Sequence, residues 1–491
     1  MKIEMNEKLK SRKGLLITPI FENYLDRFPK NYPDITKKFL LKLVKNKEFW
    51  GHSGEIGFSY ADEENLSDKI LLFGFGKIKN YTSKIARELG AKIGKEAIRL
   101  KEKNISIFFS KELAKYTEEF MEGILMIQYD IGKLKTKYSK KERYDLESLN
   151  ILVEKSLLKN IKKDLEKAKI IADAIEYVKD LVNNPSNFVD MDYLADEARK
   201  IAKENGYKIN ILGNKELEKL NAGGILAVNS GSEKEAKLIF LEYKGAKNKN
   251  EKPIAIVGKG VVFDTGGYNL KPFQHIETMH QDMAGCAVVL GLFKVMKKLG
   301  IKKNVIGITP SVANMVNEKA FKPSDIITMM SGLTVEVTNT DAEGRLILGD
   351  AITYAAKFDP KNIITIATLT GAVALALGDR YAGLLGNNTK LRRELMKAGK
   401  EVDDLGWGLP LHSDYKKAMD SAVADIRNRD VETYRMAGCS KGAAFLEKFV
   451  EGNTWCHIDI GGTAFTDSPK PYQTRGATAH GFKMLLRYLE K

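Results

Sequence analysis

Apolar residues fall along this chain in two rhythms: short unbroken runs bounded by glycine, proline or asparagine, and longer stretches with an apolar residue at every third or fourth position. The runs at Ile254–Phe263, Val305–Ala313 and Ile363–Leu369 predict buried strands, and Met283–Lys298, Leu346–Lys357 and Ala443–Val450 predict helices between them. The first part mixes the same elements, with strand-like ILLFGFG at Ile70–Gly76 and ISIFFS at Ile105–Ser110, and a helical stretch over Thr82–Lys101. Between the parts, Lys155–Val182 reads as one long amphipathic helix, stopped by the asparagines and Pro185 of NNPSN. This alternation predicts an α/β protein of two domains. A smaller N-terminal α/β domain spans residues 1–156, a linking helix 157–183, and a larger C-terminal α/β domain 184–491, with a mixed central sheet flanked by helices.

Composition agrees: 491 residues exceed one ordinary domain, and a hydrophobic share of 43% is globular. No stretch approaches the roughly 18 apolar residues of a membrane span. The charged opening MKIEMNEKLKSRKGLLITPI lacks a secretory apolar core, so a cytoplasmic location and no membrane partner are expected. Cys286, Cys439 and Cys456 lie in apolar sequence without CxxC spacing and predict reduced, buried thiols.

Chemistry enters at NTDAEGRLIL, Asn339–Leu348, where charge interrupts core-like sequence. Asp341, Glu343 and Arg345 are two apart, so in an extended stretch they leave the backbone on one side. Upstream, Ile254–Gly285 adds Lys259, Asp264, Lys271 and Asp282. Lys259 and Asp264 are an odd number apart and converge only through a bend or bulge, which Gly258, Gly260, Gly266 and Gly267 permit. Charges beside glycine are ordinarily solvated loop residues. Here apolar runs flank them on both sides, which is the setting of a site.

Four carboxylates with no histidine among them suit divalent ions, magnesium and manganese first and zinc as well. Two ions about 3.5–4 Å apart can share carboxylates and hold a hydroxide between them, a nucleophile needing no Ser, Cys or His. Lys259 beside two dications can act as a neutral amine ligand; its ordinary alternative is an ion pair with Asp264.

VGKGVVFDTGGYNLKP, TMHQDMAG and NTDAEGRLILGDA, in this order and spacing, resemble the signature blocks of the leucine aminopeptidase family of dizinc exopeptidases (M17, the cytosol aminopeptidases). DLVNNPSN, LIFLEYKG, IATLTGA and WCHIDIGGTAF extend the resemblance over roughly residues 160–491. It implies a tightly held metal on Lys259, Asp264, Asp282 and Glu343, and a looser one on Asp264, Asp341 and Glu343. Zinc is expected, with manganese, cobalt or magnesium at the looser position. The resemblance further gives Lys271 the scissile carbonyl and its oxyanion, and gives Arg345 a bicarbonate ion as general base; the ordinary alternative for Arg345 is a salt bridge to Asp341 or Glu343. The first side chain of a short peptide would enter a pocket of Met279, Asn339, Ala342, Thr368, Leu369, Gly371 and Gly461. Gly461 and Ala464 stand where larger residues occur in the family, which predicts a roomier pocket. A homohexamer is implied, with the catalytic domains inside.

Two other functions compete. The formal charge of +15 invites nucleic acid, but its lysines, as in KLKTKYSKKER at Lys133–Arg143, lack aromatic interleaving or a helix-turn-helix pattern. A two-metal phosphoesterase would use the same ions for in-line phosphoryl displacement.

Overall fold

The computed structural model describes residues 1–7, 14–25, 34–60, 69–136, 145–248, 250–431 and 436–491. Part of the basic run Lys133–Arg143 and of the charged opening segment lies outside them. The chain divides into two compact units, one of residues 1–173 with 468–474, the other of 174–467 with 475–491.

The first unit is built on a six-stranded sheet of β1 (Lys2–Asn6), β2 (Leu15–Phe21), β3 (Ile56–Tyr60), β4 (Lys69–Gly76), β5 (Asn104–Phe109) and β6 (Ser148–Val153), in the order β1-β6-β5-β2-β4-β3. Only β3 runs antiparallel to its neighbour. β2 is buried at every position, which is why LLITPIF is apolar but for Thr18 and does not alternate, and the Thr18 hydroxyl meets that of Thr36 at 3.2 Å. Helices Ser83–Arg99 and Thr117–Met126 pack so closely that a Cβ at Gly90 would stand 2.1 Å from the carbonyl oxygen of Phe120. Between them Arg87 and Glu122 form a buried ion pair at 2.7 Å, and the ring of Tyr472, from the late segment 468–474, covers the guanidinium.

The second unit carries β7 (Lys208–Leu212), β8 (Lys237–Lys244), β9 (Ile254–Gly258), β10 (Gly260–Asp264), β11 (Asn304–Asn314), β14 (Asn362–Ala367), β15 (Ala382–Gly386), β16 (Gly406–Gly408) and β18 (Trp455–Asp459) in one mixed sheet. Three short strands, β12 (Ile326–Thr328), β13 (Thr334–Glu336) and β17 (Ile426–Arg427), form a separate sheet. The middle of the large sheet, β18-β14-β9-β11, is wholly parallel, and its strands are flanked by β15 and β8 running the other way. Helix Ala284–Val295 lies against this middle with every residue but Lys294 buried, matching its nearly uncharged sequence. Gly258 and Gly285 bring strand and helix together: a Cβ on Gly285 would meet the carbonyl oxygen of Ile366 at 2.2 Å.

The strand expected over Ile254–Phe263 is two strands broken at Lys259, and β10 shifts register against β11 between Val261 and Asp264. The bend comes where the odd spacing of Lys259 and Asp264 demands one. The extended reading of Asp341-Glu343-Arg345 is overturned: Asp341 lies in a turn, and Glu343 and Arg345 belong to the first turn of the helix Glu343–Ala356, which begins three residues before the expected Leu346. A carboxylate at the first helical position suits the unsatisfied backbone N–H groups there.

His457 in β18 is fully buried, with Nδ1 at 2.9 Å from the Thr365 hydroxyl and the ring stacked on Trp455. Burial pushes its pKa from the ordinary 6.5 down to about 3. Between those values the folded protein holds fewer protons than the unfolded chain, so the stability that His457 contributes is complete above pH 6.5 and is lost as pH falls toward 3. The loss is at most about 1.4 kcal/mol per pH unit. The urea midpoint should therefore fall less between pH 7 and pH 5 in His457→Met than in the parent. Equal slopes would refute this contribution.

Candidate active site

The parallel strands deliver their functional residues at their carboxyl ends, where a doubly wound sheet opens its ligand crevice. Lys259 follows β9, Asn314 ends β11, Thr368 follows β14 and Asp459 ends β18. The turn before the helix Glu343–Ala356 adds Asp341, and a short helical turn at Met279–Met283 adds Asp282.

The ammonium of Lys259 lies 2.7 Å from Asp282 Oδ2 and 2.8 Å from Glu343 Oε1, and donates to the carbonyl of Thr368 at 3.0 Å. Its pairing with Asp282 and Glu343 differs from the ion pair with Asp264 that the sequence left open. Asp264 instead faces Lys271 at 2.8 Å, and Lys271 also reaches Asp341 at 2.5 Å. Asn314 Nδ2 and the backbone N–H of Gly266 both donate to Asp264 Oδ1, at 2.7 and 2.9 Å. Thr368 donates its hydroxyl to Asp282 Oδ1 at 2.7 Å.

Asp264, Asp341 and Glu343 each present an oxygen within 4.8 Å of the others. Four carboxyls face the ammonium groups of Lys259 and Lys271, two negative charges in surplus when all four are ionised, in a site where Asp264, Asp282 and Glu343 are each under 5% exposed. Its electrostatics follow. Burial, with Glu343 nearby, raises Asp264 to about 6, and burial raises Asp282 to about 8 against the pull of Lys259. Asp341 is also raised by burial. Burial opposes the charge on Glu343 too, but Lys259 and Lys271 overcome it and hold this carboxyl below its usual range. Burial alone would neutralise Lys259; Asp282, Glu343 and Asp264 outweigh it and raise the group.

Asp282 Oδ2 and Asp341 Oδ1 are buried, and the close polar neighbours they have are the ammonium groups of Lys259 and Lys271. A carboxylate oxygen facing one ammonium keeps a lone pair to offer, and four buried carboxyls around two lysines fit divalent cations.

Arg345 points the other way. Its Nη1 donates to the carbonyl of Asn428 at 2.6 Å, its Nε is buried without a partner, and no salt bridge to Asp341 or Glu343 forms. Burial, helped by Arg429, lowers it to about 10. A recess of about 410 Å³ opens beside it, lined in part by Asp341, Ala342, Leu369 and Gly371. Among the described residues Met279, Asn339, Thr368 and Gly461 do not line that recess. Met279 is half-buried in the turn before Asp282, and Asn339 is buried, accepting from the N–H of Asp341 at 2.7 Å. Gly461 packs on Thr370, whose carbonyl oxygen would stand 2.4 Å from a Cβ there.

Three residues that sequence reasoning passed over brace the site. Asn314 ties Asp264 to the carbonyl of Thr340. Asn428, fully buried, accepts from the N–H groups of Thr338 and Asn339, donates to the carbonyl of Asn339 and offers its own carbonyl to Arg345. Asp459 gathers the N–H groups of Leu369, Thr370 and Gly461 and the hydroxyl of Thr370. Asn314 and Asp459 carry one faint signal, a polar residue closing an apolar strand; Asn428 lies in polar sequence and carries none.

The catalytic-domain model of the cytosol aminopeptidase family matches residues 176–486, and that family's N-terminal-domain model matches residues 22–138. The probable cytosol aminopeptidase of Chromobacterium violaceum is 36% identical, over 98% of this chain and 92% of its own. The cytosol aminopeptidase of Rickettsia prowazekii is 35% identical, over 92% of each. Among solved structures, the bottromycin maturation enzyme BotP in complex with Mn superposes with a TM-score of 0.83 at 23% identity, covering 97% of this chain and 99% of that one, a likeness of fold.

Proposed function

The chain belongs to the cytosol aminopeptidase family and is a metal-dependent aminopeptidase; from that premise we propose that Lys259, Asp264, Asp282, Asp341 and Glu343 are its metal ligands. The carrying observation is the buried cluster of four carboxyls around two lysines, three of which bring oxygens within 4.8 Å of one another. Lys259, Asp264, Asp282 and Glu343 hold one ion; Asp264, Asp341 and Glu343 hold the other. Zinc suits both positions, and manganese, cobalt or magnesium the second. Bound there, the two ions supply an acidified water and positive charge for the scissile carbonyl.

The remaining groups are this chain's own. Lys271, held as an ammonium between Asp264 and Asp341, donates to the carbonyl oxygen of the substrate as negative charge develops on it. Arg345, which lines the recess, holds a bicarbonate ion, which supplies a general base. Leu369, Gly371 and Ala342 wall the space beside it, and Asp459 fixes the loop that carries the first two. Short peptides are the substrates, attacked from the amino end. We further propose a cytoplasmic homohexamer.

A leucyl nitroanilide and a nitrophenyl phosphate, each assayed before and after chelation and after return of zinc or manganese, test this reading. Hydrolysis of the anilide alone, lost to chelator and restored by metal, is expected. Phosphate release by the same site would replace the reading with a phosphoesterase.

A further inference from the structure

The opposite end of the large sheet carries a second recess, and we propose that it binds a small polyanion bearing two or more phosphates. It opens at the amino ends of the four central parallel strands. Ile254 begins β9 and Asn362 begins β14, while Lys303 and Thr454 immediately precede β11 and β18, and all four line a cavity of about 420 Å³. One wall is the first half of the helix Thr389–Val402, and another is the C-terminal helix Phe482–Glu490.

Five lysines converge there: Lys303, Lys361, Lys390, Lys397 and Lys491. Lys491 is committed to Glu401 at 2.6 Å, and the other four make no ion pair among the described residues. Glu394 is the one acidic side chain in the lining. Among the described lining residues, four ammonium groups without an ion pair less one carboxylate leave three positive charges. Like charges converging on one concavity repel unless an anion sits among them. The floor is polar as well. Buried Asn362 donates to the hydroxyl of Tyr488 at 2.8 Å, an arrangement in which the hydroxyl's own proton is not used, and both residues line the cavity. The helix Thr389–Val402 adds the positive end of its peptide dipoles, with Asn388 capping Leu391 N at 2.9 Å.

The chemistry selects the ligand. Among the described residues the lining has lysine and no arginine. Compact ammonium charges suit the tetrahedral phosphate, whereas planar carboxylates favour the arginine fork. The volume falls in the range of small-molecule sites, about 300–1,000 Å³. The lysines line one cavity in which Tyr488 is the one aromatic among the described lining residues, whereas a nucleic-acid strand requires a track of stacking rings. The recess and the carboxylate cluster occupy opposite ends of the same strands, so occupancy leaves the catalytic groups uncontacted.

Inorganic tripolyphosphate, ATP and a short DNA duplex, titrated calorimetrically into the metal-loaded protein with manganese in excess, test the proposal. Tripolyphosphate and ATP are expected to bind, equally if the phosphate chain alone is read and ATP more tightly if the nucleoside contributes. The double variant Lys361→Glu/Lys390→Glu should weaken both by about tenfold or more with unchanged kcat/KM on a leucyl nitroanilide. Failure of either phosphate to bind, binding indifferent to the double variant, or binding of the duplex alone would overturn it. An unchanged melting temperature and circular dichroism spectrum certify that the variant is folded; Lys390→Ala alone serves if it is not, with a weakening of at least threefold expected and none overturning the proposal.

Discussion

Replacing Glu343 by glutamine is expected to remove peptide hydrolysis, lowering kcat/KM roughly a thousandfold or more, while the protein stays folded. The substitution keeps the shape of a side chain that is 2% exposed and removes only its charge. Glu343 is the one carboxylate of the cluster held below its usual range, and it belongs both to the oxygens gathered within 4.8 Å and to the pair facing Lys259. Both proposed ion positions therefore lose a negative ligand at once. In chelator at neutral pH the variant should melt lower than the parent, because Lys259 and Lys271 hold the Glu343 carboxyl below its usual range and its charge therefore contributes to the stability of the metal-free fold. Metal content by atomic emission, kcat/KM and thermal melting with and without chelator check these outcomes together. Activity within tenfold of the parent at full metal content would remove Glu343 from the ligand set.

The second large effect concerns a residue with no functional group. Gly344→Ala is expected to cost roughly a hundredfold in kcat/KM, because an added Cβ would stand 2.6 Å from Cε and 2.7 Å from Nζ of Lys259. The tip of a lysine can ordinarily swing aside. This one is held by Asp282, by Glu343 and by the carbonyl of Thr368, and moving it breaks all three contacts. Helix propensity pushes the opposite way, since alanine in place of glycine inside a helix contributes about 0.5–1 kcal/mol of stability. The two effects separate in one variant: activity falls while the melting temperature holds or drops. A rise in melting temperature with intact activity would show that the Lys259 side chain relaxes freely.

Continuous burial made much of this architecture legible. Strands that are buried on both faces are mostly apolar, and Ile254, Val305 and Ile363 each open or nearly open such a run. The bend after Lys259 was legible too, because two side chains an odd number apart converge only across an irregularity, and β10 supplies it. The Asp341-Glu343-Arg345 triplet misled. Spacing by two defines a face only in a strand, and the helix that begins at Glu343 sends Glu343 to Lys259 and Arg345 to Asn428. What stayed hidden is long-range bracing: Asn428 meets residues some 83 to 90 positions away, a relation that no local periodicity encodes.

The segment 468–474 has a consequence for how the protein is made. Lys95 and Lys470 touch across 375 positions of chain, and Tyr472 roofs a guanidinium already paired in the interior of the first unit. Synthesis from the amino end makes residues 468–474 after every strand of that unit's sheet, so the roof is the last part of the unit to be supplied. Expressed alone, residues 1–173 would lack it, and the fragment is expected to be less stable than the complete unit.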